Sequence, residues 1–192
     1  MMNRIKVDPE TVWIETVSIA RLGDDREDVL RCFQADVMVH DVEAGELTRI
    51  GAVRGLIAFE STEVQLAMAA HAISNEALTL AHAADEIRRS LDNYAQVTPS
   101  TVLLVDLIRI KEQWRGSRIC GHIIGQLLAV LRLDPEATLV VLEPEPQLED
   151  GGRMRKGPQR SAALSSLRET YVDAGFGRWR RGPVWWRLEV AA

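Results

Sequence analysis

Gln113-Trp114-Arg115-Gly116-Ser117-Arg118-Ile119-Cys120-Gly121 is the stretch on which the reading of this chain turns. The apolar run Val102-Leu103-Leu104-Val105-Asp106-Leu107-Ile108 leads into it, and an amphipathic run from Ile119 to Leu131 leads out. A strand that enters a glycine-containing turn and opens a helix can bind an anion. Unpaired helix N–H groups point outward there, and the helix dipole adds partial positive charge. The spacing matches neither the nucleotide-triphosphate loop, which needs Gly-Lys-Ser/Thr, nor the dinucleotide Gly-x-Gly-x-x-Gly. It reads as a phosphate site for another cofactor, with an ordinary strand-to-helix turn as the alternative.

Working outward, Ala137-Thr138-Leu139-Val140-Val141-Leu142-Glu143 is nearly continuous in apolar residues, as expected of a strand buried on both faces. Pro144 to Pro158 reads as a loop. Ser161 to Ala174 reads as a helix, with Leu164, Leu167 and Tyr171 at helical spacing and Gly175 as its stop. A Trp-rich strand pair, Phe176–Arg181 and Val184–Val190, follows around a Gly182-Pro183 turn.

On the other side, Thr11–Ile19, Asp36–His40 and Leu47–Phe59 read as strands. The stretch Asp24–Phe33 reads as a short helix or a loop, and Glu43-Ala44-Gly45-Glu46 as a turn with Gly at a positive-φ position. Gly51 and Gly55 inside the third run predict a bulge or close packing. From a cap-like Ser61-Thr62-Glu63, helix extends to about Tyr94, with Ser74-Asn75-Glu76 as a break. His71 and His82 share a face only without that break, and no third ligand stands at metal spacing, so no metal site is expected. His40 reads as structural or exposed.

The bulk numbers bound the rest. The 192 residues are 46% apolar, which suits one globular domain with a real core. No apolar run reaches membrane-span length, Met1–Val12 lacks the apolar middle of a secretion signal, and the two cysteines make no disulfide framework. The reading is a soluble, cytoplasmic protein with no membrane partner. Residues 1–150 hold 14 Lys/Arg against 25 Asp/Glu, while residues 151–192 hold 9 against 3. The basic end either faces an anionic partner or neutralises the acidic remainder, and the acidic total argues against nucleic acid.

Three pieces in this order resemble the GNAT superfamily of acyl-CoA-dependent N-acetyltransferases, over about residues 101–190. They are the loop Gln113-Trp114-Arg115-Gly116-Ser117-Arg118, the strand ending Val141-Leu142-Glu143, and the helix ending Tyr171-Val172-Asp173-Ala174-Gly175-Phe176. The resemblance implies an α/β domain with a mixed, splayed, mostly antiparallel sheet flanked by helices. Residues 1–192 would form one domain, with 1–100 on the acceptor side and 101–192 holding the cofactor. It implies acetyl-CoA wedged between the fourth and fifth strands and direct acetyl transfer to an amine.

On that resemblance, Leu107, Ile108 and Arg109 pair with the pantetheine arm. Arg115, Gly116, Ser117, Arg118, Ile119, Cys120 and Gly121 hold the pyrophosphate. Tyr171 is the acid for the leaving thiolate and Glu143 the base, with Asp106 as an alternative base. Tyr171 also reads as a core tyrosine, and Glu143 as a helix cap or ion-pair partner. Arg118 and Cys120 stand where the family usually has Gly or Ala. An arginine there can point away, bond a phosphate oxygen or obstruct the loop, which keeps a catalytically degenerate acyl-CoA-binding or regulatory module as the alternative function. The acceptor is an amine, of a small molecule or of a protein, that no motif identifies. Trp179, Trp185 and Trp186 fit an acceptor pocket, a homodimer interface or the core alike.

Overall fold

The computed structural model of the chain describes residues 5–21, 30–41, 45–59, 63–95, 98–148 and 152–189. Its elements are β1 (Val12–Arg21), β2 (Leu30–Asp41), β3 (Glu46–Phe59), α1 (Glu63–Ile73), α2 (Asn75–Ala95) and β4 (Thr101–Ile110). Then come α3 (Cys120–Val130), β5 (Thr138–Leu142), α4 (Pro158–Asp173), β6 (Gly177–Arg178) and β7 (Trp185–Arg187). The strands form one seven-stranded sheet in the order β1-β2-β3-β4-β5-β7-β6. Every pair is antiparallel except β4–β5. This is an α/β architecture on a mixed, open sheet.

The burial of β5 explains its composition. All five of its residues are buried. Val140 and Leu142 face one core with Leu103, Val105, Ile123, Leu127 and Tyr171. Leu139 and Val141 face the other, with Leu66, Leu80, Ala84 and Ile87 of α1 and α2. Alternating side chains feed two apolar layers, so no position is left for a polar residue to reach water.

Both glycines of β3 sit where the ladder steps. The register shifts between Arg54 and Gly55, where Val105 and Leu107 oppose consecutive residues and Asp106 is the extra one on β4. A Cβ on Gly55 would lie 1.9 Å from the Leu104 carbonyl oxygen, so only glycine permits this approach. Gly51 lies at the β2–β3 shift, and a Cβ there would lie 2.3 Å from the Arg109 carbonyl oxygen.

The helix break falls at Ser74, whose side chain accepts from the Ala77 amide and caps α2. α4 ends as a Schellman motif. Phe176 N–H reaches the Tyr171 carbonyl at 2.9 Å and Gly175 N–H the Val172 carbonyl at 2.9 Å, with Gly175 at φ 82°. α3 closes in the same way with Arg132 at φ 55° in the left-handed position.

Several expectations need correction. Leu30–Phe33 is the start of β2, not helix or loop; the apolar and aromatic side chains there alternate into the cores. Residues 24–29, the turn residues 43 and 44, and the cap residues 61 and 62 lie outside the described residues. Gly45 does take a positive φ, of 66°. The terminal strand pair shrinks to Gly177–Arg178 and Trp185–Arg187. The left-handed Arg180, at φ 51°, and the Trp179–Gly182 turn consume the rest. Trp185 is buried in one core, while Trp179 and Trp186 pack against the other. Trp185 is thus a core residue, and Trp179 and Trp186 are partly buried against the core.

Candidate functional site

The parallel β4–β5 ladder runs from Thr101↔Thr138 to Val105↔Leu142 and stops there. β4 continues to Ile110 with only β3 beside it among the described residues. Past the Asp106 bulge, its outer edge therefore faces a gap rather than a strand. Unpaired ladder groups on such an edge can accept an extended ligand.

A cleft of about 300 Å³ opens at this gap. Ile108 and Arg109 of β4, the loop residues Arg115, Gly116, Ser117, Arg118 and Ile119, and Cys120 of α3 all line it, as does Tyr171 of α4. Eight of the ten expected cofactor-binding residues thus share one cleft with Tyr171. Leu107 does not line it; it pairs with Arg54 across the ladder. Nor does Gly121, which serves helix packing: a Cβ there would meet the Ala174 Cβ at 3.2 Å.

β4 does not run straight into the glycine turn. A 3₁₀ turn, Glu112–Trp114, intervenes, and Trp114 buries its ring in the core. Gly116 then takes φ 94° and Arg118 φ 54°. Arg118 adopts the left-handed conformation that glycine takes easily, at a cost of about 1–2 kcal/mol. Its guanidinium turns to Asp173 on α4, at 3.2 Å, without filling the loop. Ile119, the residue capping α3, provides no side-chain hydrogen bond, so the first amides of α3 are left for an external acceptor.

The N-terminal segment braces this loop. Ile5 N–H donates to the Gln113 carbonyl at 2.8 Å, and Val7 N–H donates to Ser117 Oγ at 3.0 Å. Arg115 Nε donates to the Ile110 carbonyl at 2.8 Å, tying the loop to the end of β4. Beside it, Arg49, Arg109, Lys111 and Arg115 line a small cationic hollow of about 290 Å³.

Tyr171 is buried, and its ring meets Phe176 edge-on at 5.6 Å. Burial, then the neighbouring Cys120 thiol, hold its phenol well above the ordinary value. It therefore keeps its proton across the working pH range. Burial pushes the Cys120 thiol up to about 12, offset in part by the Tyr171 hydroxyl and Arg187. The thiol is a buried packing group and a poor nucleophile.

Glu143 follows β5 and is half-buried. Burial first, then Glu145, and further off Glu76, raise its carboxyl above the usual range against the pull of Arg153 and Arg160. A carboxyl raised by burial is a candidate base. Glu143 lines a second, larger cavity of about 680 Å³, together with Asp106, Glu76, Arg54 and Arg153. Tyr171 and Glu143 therefore face different cavities. Glu145 and Gln147 line both and form their shared wall.

Glu145 is held by Arg160 through two contacts, at 2.7 and 3.2 Å. Asp106 is bound to Arg54 at 2.8 Å, which fits an ion-pair residue better than a free base. The basic end also pairs within the chain: Arg153, Arg160 and Arg180 meet Glu76, Glu145 and Glu86. It neutralises part of the acidic remainder.

Sequence reasoning missed Glu145, Gln147, Met154, Ser166 and Thr170 in the cleft wall. Only their place in the loop after β5 and on α4 could have signalled them. Among the described residues no group of three His, Cys, Asp or Glu side chains converges as a metal site, and no helix is long and apolar enough to cross a membrane. Comparisons with family models, curated proteins and solved structures return no match for this chain.

Proposed function

We propose that the protein is an acyl-CoA-dependent N-acyltransferase of the GNAT type, moving the acetyl group of acetyl-CoA to an amine. The observation that carries this reading is the parting of β4 from β5 after Val105 and Leu142. It opens a bare strand edge onto a cleft shared by the Gly116–Cys120 loop and Tyr171.

The chemistry follows from these parts. Pantetheine amides pair with the β4 edge beyond Asp106, as an added strand would. The pyrophosphate lies on the 116–120 loop and the first amides of α3. The amine enters from the larger cavity as an ammonium and gives one proton to Glu143, which leaves a neutral nucleophile. Its nitrogen then forms a bond to the acetyl carbonyl carbon, and the carbon–sulfur bond breaks. The departing thiolate takes the Tyr171 proton, which burial has kept in place; the second nitrogen proton restores the phenol, and Glu143 releases its own proton to solvent.

The test is a thermal-shift titration with acetyl-CoA, followed by an acceptor screen on the full chain. A raised melting temperature with turnover is expected. No shift at millimolar acetyl-CoA rules the reading out. One observation favours a second reading, a binder without turnover: the Tyr171 hydroxyl is already engaged by the Cys120 thiol. A shift without turnover on any amine selects it.

A further inference from the structure

Four cationic side chains, Arg49, Arg109, Lys111 and Arg115, converge on the hollow of about 290 Å³ beside the cleft, and no carboxylate among the described residues lines it. The chain carries 28 acidic residues against 23 Lys and Arg. Elsewhere its arginines find them: Arg54, Arg118 and Arg160 meet Asp106, Asp173 and Glu145. In the hollow only Arg49 is so matched, with Asp36 at 2.6 Å. Arg109 and Lys111 have no ion pair among the described residues. Arg115 gives only its Nε, to the Ile110 carbonyl at 2.8 Å. Like charges gathered in one small space repel unless an anion joins them.

Two features prepare the hollow for an anion. Arg49 and Arg115 are each anchored at one nitrogen and have further N–H groups to offer. A guanidinium fork fixed in advance loses less freedom on binding. The hollow also reaches a different face of the sheet from the amides of α3. Ile108 and Ile110 pack into the core that α3 covers, so the intervening Arg109 projects from the opposite face. It stands in one cross-strand row with Ala52 and Asp36, the partner of Arg49.

We propose that this hollow binds a doubly charged phosphate group, carried by a ligand other than the one in the β4–β5 cleft. The inference does not depend on acyl transfer. A carboxylate offsets only one positive charge. A phosphate monoester brings nearly two, with three acceptor oxygens. Arginine forks match those oxygens in pairs, and Lys111 adds a point charge. The volume falls just under the roughly 300–1,000 Å³ of pockets that enclose a whole small molecule, so it suits a charged head group.

The test titrates inorganic phosphate calorimetrically into the full chain at constant ionic strength, alone and with saturating acetyl-CoA. Acetate and chloride serve as controls. Phosphate should bind in the millimolar range or tighter, the controls should not, and acetyl-CoA should leave phosphate binding in place. Lys111→Gln and Arg109→Gln should each weaken it about tenfold, the factor of one charge-assisted hydrogen bond. Lys111 is exposed and its side chain has no partner among the described residues, so Lys111→Gln should leave the fold intact, which a melting curve checks.

No phosphate binding, or binding that acetate matches, overturns the assignment. So does phosphate binding that both variants leave unchanged, since the anion then lies on the α3 amides or elsewhere. Displacement of phosphate by acetyl-CoA overturns the claim of a separate ligand. Phosphate binding that both variants weaken, without any binding of acetyl-CoA, upholds the hollow and removes the transferase reading. Binding of acetyl-CoA without any of phosphate does the reverse.

Discussion

The Phe176 amide donates to the Tyr171 carbonyl at 2.9 Å while the two rings meet edge to face at 5.6 Å. One backbone bond and one ring contact thus hold the candidate acid at the end of α4, and Gly175 makes both possible. Gly175 sits at φ 82° with room for a Cβ, whose nearest neighbour would be Arg187 Nε at 3.6 Å. Gly175→Ala is therefore penalised by conformation, not by collision. The expected cost is about 1–2 kcal/mol, a fall of roughly 2–8 °C in melting temperature. Calorimetry checks it, and an unchanged transition would show that the turn relaxes freely.

Tyr171→Phe keeps the ring and the Phe176 contact and removes the hydroxyl, with its proton and its contact to Cys120. The turnover rate is expected to drop about 100-fold, the scale of a general acid, with little loss of stability. Initial rates with acetyl-CoA beside a melting curve separate the two effects. An unaltered rate would take Tyr171 out of the proton path.

Glu143 gives the pH dependence a sign. Its carboxyl is raised by burial and by Glu145, so the folded protein holds this proton more tightly than the unfolded chain. Stability from this group is fully present below the unfolded carboxylate value and is lost as pH rises through the raised folded value. Activity moves the other way, rising as the base is freed. Under the proposed mechanism Glu143→Gln should thus turn over about 100-fold more slowly yet be no less stable at neutral pH, and its residual rate should lose the acidic limb of the profile. Paired melting and rate curves between about pH 4 and 8 would reveal a variant whose stability falls instead.

Ser117 ties the loop to the N-terminal segment through Val7 N–H. Val7 is buried, so Ser117→Ala strands a backbone donor at a cost of about 1 kcal/mol. The loop should loosen and acetyl-CoA affinity fall several-fold. Hydrogen exchange at Val7 reports the first effect and calorimetry the second. Faster exchange with unchanged affinity would separate the brace from the cofactor.

Cys120 should resist alkylation in the folded protein. A thiol held at about 12 is only about 1 part in 10⁴ thiolate at pH 8. Iodoacetamide at that pH should label it only after unfolding, as peptide mass spectrometry would show. Rapid labelling of the native chain would mean that this end of α3 opens.

What could be read in the sequence was local. The unbroken apolar run of β5, the stop at Gly175, the break at Ser74 and the loop from Arg115 to Cys120 each follow from neighbouring residues and a period. What escaped depends on partners far apart in the chain. The Ser117 brace spans 110 residues and the Glu76–Arg153 pair 77, and no pattern in either segment announces them. Gly121 reads as a phosphate residue from its place at the turn, and its amide is among the first of α3; that its lack of a side chain also admits Ala174 could not be read from the sequence. The Asp106 bulge needs the register of β3 against β4, which Gly55 hinted at without fixing. Glu143 and Tyr171 were both expected at the reaction centre, but their separate cavities required the third dimension.

The bare edge of β4 is also a hazard. Sheet edges with open N–H and C=O groups template pairing between molecules, and natural proteins blunt them with charges and bulges. Here the Asp106 bulge and the charge of Arg109 fall on that edge, which acts as a guard against self-association. A bound ligand that completes the sheet would act as a second guard. Colloidal stability of the protein on concentration or refolding should therefore track occupancy of the cleft, so that any ligand filling it would double as a folding companion.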